Sequence, residues 1–272
     1  MESDLSLNIP GLSIGPSEDA PEDAMRVLLH GLPGSGKTLL ASTIAEQGKT
    51  LFVDLVGERG TTSFKGAPYA KNIDLVRPKT VVELTAIYKA LAKGDHDYTA
   101  VVLDSLSAVQ KSAMRFQLGF EEDTVTEIRK GRQTADQRTW GTILEIMTDT
   151  CTFWMSLADG GRKKPLHVVF TCQTKAHEDD EGEVRLYPDV SKGSRSIAMA
   201  TPDYVLYTDV VEELTEDGEA VMRYVVRIGP DTHYATKARI PAHLRGKVPP
   251  ILGRDGKSVS LTSLARALGK IK

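Results

Sequence analysis

The sequence predicts an α/β fold: a mostly parallel central sheet around a phosphate-binding loop, with an antiparallel hairpin towards the C-terminus. Three observations predict it. Apolar runs that read as buried strands, Val27-Leu28-Leu29, Thr50–Asp54, Thr99–Ser105 and Pro165–Gln173, alternate with stretches that are apolar at helical spacing. Gly31 through Thr38, GLPGSGKT, fits the pattern G-x-x-x-x-G-K-[ST] between such a strand and such a helix. Tyr204–Leu214 and Ala220–Ile228 flank the turn Glu216-Asp217-Gly218.

The loop is the most informative stretch. Gly34 and Gly36 lack a Cβ, so the backbone can wrap a polyphosphate and aim its N–H groups at the oxygens. The following helix adds the positive end of its dipole. Lys37 supplies a point charge for the β and γ phosphates, and the Thr38 hydroxyl suits a Mg²⁺ ion. Gly31, Leu32, Pro33, Gly34, Ser35, Gly36, Lys37, Thr38 and Leu39 are therefore the expected ATP-binding residues. The strand Thr99–Ser105 carries Asp104 at its C-terminal end, where a carboxylate is expected to hold Mg²⁺ opposite Thr38.

Composition limits the alternatives. The chain has 272 residues, 40% hydrophobic and 26% charged, as expected of one large globular domain with tails. A formal net charge of −3 excludes a uniformly basic coat, so any nucleic-acid site must be a local patch. No apolar run approaches the roughly 18 residues of a membrane span. With no basic-then-apolar signal at the N-terminus, the expected location is cytoplasmic. Cys151 and Cys172 lie in apolar contexts without C-x-x-C spacing and read as reduced core residues.

Three segments are expected. Residues 1–23 are rich in Ser, Pro, Asp and Glu and read as a flexible lead-in. Leu5, Leu7 and Ile9 also alternate with polar residues there, as in a strand that pairs with a neighbouring subunit. Residues 24–245 form the ATPase domain, and 246–272 a tail with a short helix over Leu261–Leu268. Within the domain, helices are expected over Val81–Lys93 and Ala135–Leu157, the latter with Trp140, Ile143, Leu144, Met147, Cys151 and Trp154 as its core stripe. Residues 111–134 and the stretch around Lys192–Arg195 read as irregular, His233–Ile240 as a further short strand, and His167 as a core histidine.

The order of motifs resembles the RecA-type recombinase core over about Met25–Ile240. VVLDSLSAV, Val101–Val109, resembles its second nucleotide motif. VVFTCQTK, Val168–Lys175, resembles the strand whose terminal Gln senses the γ-phosphate, and TKAR, Thr236–Arg239, resembles a Lys-x-Arg element that enters a neighbour's ATP site. The size and the spelling of the loop look closest to phage ATPases of the Sak type, which assist single-strand annealing. The resemblance implies that Gln173 is the switch and that Lys237 and Arg239 act in trans. It implies partners too: single-stranded DNA, further copies of the chain in a ring or filament, and a single-strand DNA-binding protein. Arg129, Lys130, Arg132, Lys175, Lys192 and Arg195 are the expected phosphate contacts on DNA. One departure stands out. The family's D-x-E is here Asp54-Leu55-Val56, and valine can neither accept a proton nor orient water. Glu58 substitutes if the loop bulges; otherwise ATP is bound and turned over slowly. The readings carried forward are an ATPase acting on single-stranded DNA, a DNA-binding module with ATP as a structural ligand, and a helicase motor.

Overall fold

A computed structural model describes residues 16, 21–55, 60–119, 135–178, 182–214, 217–254 and 258–271. In chain order the elements are β1 (Arg26–Gly31), α1 (Lys37–Ser42), β2 (Thr50–Asp54), β3 (Ile73–Val76), α2 (Val81–Ala92), β4 (Ala100–Asp104), α3 (Leu106–Gln117), α4 (Gln137–Met155) and β5 (His167–Glu178). They continue with β6 (Val184–Pro188), α5 (Lys192–Ala200), β7 (Tyr204–Leu214), β8 (Ala220–Arg227), β9 (Lys237–Ala238), β10 (Ile251–Leu252) and α6 (Leu261–Ala267).

The sheet runs β10-β8-β7-β1-β5-β4-β2-β3. The pairs from β7 through β3 are parallel, β8 and β10 add antiparallel edges, and β6 folds back on β5. Central strands are apolar on both faces because both are covered. Leu51, Val53, Val101 and Leu103 join the core formed with α2, α3 and α4. Phe52, Ala100 and Val102 point the other way, into the core with α1 and α6. The tail helix α6 is thereby locked to the phosphate-loop side: Leu261 N–H donates to Thr43 Oγ1 at 2.8 Å, and Thr262 Oγ1 donates to Thr43 O at 2.8 Å.

The fold class and most expected elements are present. The differences have local causes. The start of 111–134 is helical, because α3 runs to Gln117 with Leu106, Val109 and Ala113 buried and Ser105 accepting the Ala108 N–H as N-cap. Lys192–Arg195 opens the helix α5 rather than a loop. Gly193 argues against a helix, but Ser191 caps it, and a side chain at Gly193 would crowd Leu144. Trp140 and Leu144 are exposed, at 43% and 38%, while Ile143, Met147, Cys151 and Trp154 are buried, so the core stripe of α4 is narrower than the apolar pattern suggests. The strand expected over His233–Ile240 is reduced to β9 and a single bridge at Tyr234. The edge strands β3 and β10 are too short and too half-buried to show a pattern.

Candidate nucleotide site

Parallel strands bring their C-terminal ends to one edge, and the site lies there. The pairing of β1 with β7 sets Gly31 beside Thr208, and a side chain at Gly31 would collide with Thr208 and Ser35. Gly34 and Gly36 adopt φ of +81° and +83°, a region where any other residue is strained. Lys37 is buried, and its Nζ donates to Gly31 O and Leu32 O at 2.9 Å each, so the ammonium is held across the mouth of the loop.

Thr38 Oγ1 donates to Asp104 Oδ2 at 2.9 Å, and Thr171 Oγ1 donates to Asp104 Oδ1. Asp104 is thus oriented by hydroxyls from α1 and β5. A Cβ on Gly60 would lie 2.8 Å from Thr38 Oγ1 and 2.9 Å from Asp104 Oδ2, so glycine keeps this spot open. A hydroxyl and a carboxylate converging beside a gap are hard oxygen donors that fit Mg²⁺.

Two further groups face this edge. Gln173 pairs with Gly31 in the β1–β5 register and shares the α1-side face of β5 with Thr171. Its N–H donates to Ser107 Oγ at 3.2 Å and its carbonyl accepts from Asp189 N–H at 2.7 Å. The side-chain oxygen of Gln173 is buried without a partner among the described residues. Asp54 lies opposite Asp104 on the neighbouring strand, so both carboxylates emerge on the same face. Arg77 Nε donates to Asp54 Oδ2 at 3.0 Å, whereas Asp54 Oδ1 is buried with no partner among the described residues. The sequence marks Asp54 as a strand end and as the first letter of the D-x-E position; the strand register sets it beside Asp104. Val56 and Glu58 lie outside the described residues.

His30, on β1, was not singled out by the sequence. It is fully buried, with Nδ1 3.0 Å from Thr174 Oγ1 and Nε2 2.9 Å from Ala235 O, and burial lowers its pKa to about 4. His167 is the expected core histidine. Its Nδ1 accepts the Met25 N–H at 3.0 Å, and burial lowers its pKa to about 4. Cys151 and Cys172 are free and buried, and burial pushes both thiols up to about 12.

The other expected site residues fall into separate groups. Lys175 pairs with Tyr187 across the β5–β6 hairpin, and His177 with Arg185. Arg195, from α5, lies 4.9 Å over the Tyr187 ring and hydrogen-bonds His177 Nε2, while Arg185 lies 5.5 Å from the same ring. Lys192 sits exposed one turn before Arg195. The structure therefore brings Lys175 and Arg195 to one aromatic ring, with Lys192 exposed on the same helix as Arg195; Arg129, Lys130 and Arg132 lie outside the described residues. Lys237 and Arg239 lie at the opposite edge of the sheet from the phosphate loop. Lys237 Nζ donates to Met199 O and Ala200 O, at 2.7 and 2.8 Å, at the end of α5. Arg239 pairs with Asp203 at 2.8 Å, and its side chain is 59% exposed.

Loop, lysine, threonine and strand-end aspartate together define a P-loop NTPase, a nucleotide-binding protein of the ATPase kind. The family model described as AAA domain matches residues 23–240, and the chain belongs to that family. No curated protein matches the chain. Among solved structures, the X-ray structure of the Legionella pneumophila ATPase DotB is similar over 79% of this chain and 50% of that one, at 12% identity and a TM-score of 0.26. The chain thus spans about half the length of that protein. No described helix is long and apolar enough to cross a membrane.

Proposed function

We propose that the protein hydrolyses ATP and works on single-stranded DNA in recombination or annealing, as a RecA-like ATPase of the phage Sak type acting as an oligomer. The observation that carries this reading is strand β5. One unbroken element passes Thr171 on Asp104 and Gln173 beside Gly31, then continues to Lys175 and His177 on the basic, aromatic hairpin. A change at the γ-phosphate felt by the open carboxamide of Gln173 has a rigid route to that hairpin.

Each residue has a role in this reading. Backbone N–H groups around Gly34 and Gly36 bind the phosphates, and Lys37 releases its two carbonyl bonds to meet β and γ oxygens. Thr38 and Asp104 would hold Mg²⁺, which neutralises charge on the phosphates when bound. Asp54 orients the attacking water through its open oxygen, in the role that Val56 cannot fill. Arg77 keeps that carboxylate aimed. On the DNA side, Lys175, Lys192 and Arg195 meet phosphates and Tyr187 offers a stacking face. In an oligomer, the exposed Arg239 reaches a neighbour's site.

Binding of a single-stranded oligonucleotide should fall with rising salt, because neutralised phosphates release counterions. Replacing Lys175, Lys192 and Arg195 together by Ala should lower affinity and reduce the slope of log affinity against log salt by about 2. An unchanged slope would remove this hairpin and helix from the interface.

A further inference from the structure

Helix α3 follows Asp104 directly, with Ser105 as its N-cap, so the strand-end carboxylate and the first turn of α3 move together. Ser107 and Gln110 lie three residues apart at the start of that helix and share a face. Both reach the same short link, Asp189-Val190-Ser191, which joins β6 to α5. The buried Ser107 Oγ donates to Asp189 O at 2.9 Å and accepts the Gln173 N–H at 3.2 Å. Asp189 N–H in turn donates to Gln173 O at 2.7 Å, which closes a ring of three bonds between α3, β5 and the link. At the far end of the link, Gln110 Oε1 accepts the Ser191 N–H at 2.7 Å. Ser191 is the N-cap of α5, its Oγ accepting the Ser194 N–H at 3.4 Å. Val190, between the two anchors, is buried in the core that also holds Val109 and Ala113 of α3.

We infer that Gln110 is a positioning residue: it ties α5 to the Asp104 edge and so carries the nucleotide state to one half of the proposed DNA-binding patch. This assignment rests on the ATP and DNA reading and names a regulation of that same site. Strand β5 leads directly to Lys175 and His177. Lys192 and Arg195 are not on that strand; they stand on α5, which starts from the link. Ser107 fastens the β5 end of the link, and Gln110 fastens the α5 end. A shift of Asp104 when nucleotide binds is therefore a shift of the start of α3, and Gln110 passes it to the backbone of α5. Arg195 stands where that shift arrives, since its N–H donates to Ser191 O at 2.9 Å and its guanidinium lies over Tyr187. Loss of the Gln110 bond alone leaves the Ser191 cap of α5 in place.

Fluorescence anisotropy with a labelled single-stranded oligonucleotide tests this on the full chain, with and without Mg²⁺ and a non-hydrolysable ATP analogue. The ratio of the two DNA affinities is the coupling between the sites, and in the parent it should fall in the range of about 5- to 150-fold usual for coupled sites. Gln110→Ala should bind the oligonucleotide alone, and the analogue alone, as the parent does, while its ratio drops towards 1. Gln110→Glu keeps the acceptor oxygen and should restore the parent's ratio. Gln110 is half-buried, and a melting temperature near the parent's shows that both variants are folded. The drop caused by Gln110→Ala should persist in a Lys175→Ala background and vanish in an Arg195→Ala background, because only the second removes the receiving side chain. A parental ratio in Gln110→Ala, or DNA binding weakened equally with and without the analogue, would overturn the inference. A parent whose own ratio is 1 would overturn the coupling in the proposed function, and this inference with it.

Discussion

Lys37 spans the mouth of the loop through two carbonyls, which holds its charge at the position the loop motif reserves for the β and γ phosphates. Lys37→Ala should weaken ATP·Mg²⁺ binding roughly 10- to 100-fold, the worth of a charge-assisted bond, with the fold retained. Equilibrium binding checks it, and parental affinity would contradict the assignment. Asp54→Asn should separate binding from chemistry. ATP affinity should hold while kcat falls on the order of 100-fold, because the amide keeps the shape but loses the basic oxygen that orients water. Undiminished turnover would return the role to Glu58 or to no residue. Lys37 and Asp54 also differ in how far the sequence reveals them. The loop can be read because its chemistry restricts residue types at fixed spacing. The placement of Asp54 beside Asp104, the position of Tyr224 against Gly36 and the bond of His30 to Ala235 depend on contacts between segments far apart in sequence.

Among the elements, β1 and β5 carry the two buried histidines, and these give the fold a pH limit. Both are neutral at pH 7, with pKa near 4 against an ordinary 6.5 because burial disfavours the charged ring. Between those values the unfolded chain binds more protons than the folded one, so stability is full above about pH 6.5 and falls as pH drops towards 4. For His167 the cause is concrete: protonating Nδ1 destroys the acceptor of the Met25 N–H. Thermal melts from pH 7.5 to 4.5 should show a falling Tm, and His167→Asn should fall less steeply. A parallel decline in parent and variant would remove His167 from that response. The element scale is also where sequence reading misses most. Helices α3 and α5 were hidden by Ser, Lys and Gly at positions that caps and neighbours make tolerable, whereas β2, β4 and α2 match almost to the residue because their periodicity is uninterrupted.

At the scale of the whole molecule, two edges of one sheet hold different groups. The C-terminal edge has the phosphate loop, Asp104 and Gln173, and the other has Arg239 on Asp203, outward enough to meet a second copy. If Arg239 acts in trans, Lys37→Ala and Arg239→Ala proteins, each inactive alone, should recover part of the turnover when mixed, since such a finger is worth about 10³–10⁵ in rate. No recovery in a mixture shown to co-assemble would confine Arg239 to its contact with Asp203. In the proposed function, β5 couples the ATP site to a hairpin that binds single-stranded DNA. Steady-state ATP turnover against single-stranded DNA concentration, for the parent and for Gln173→Ala, tests it most directly. DNA should stimulate the parent saturably, and Gln173→Ala should bind DNA but no longer be stimulated. Turnover in the parent that ignores DNA at saturating binding would contradict it.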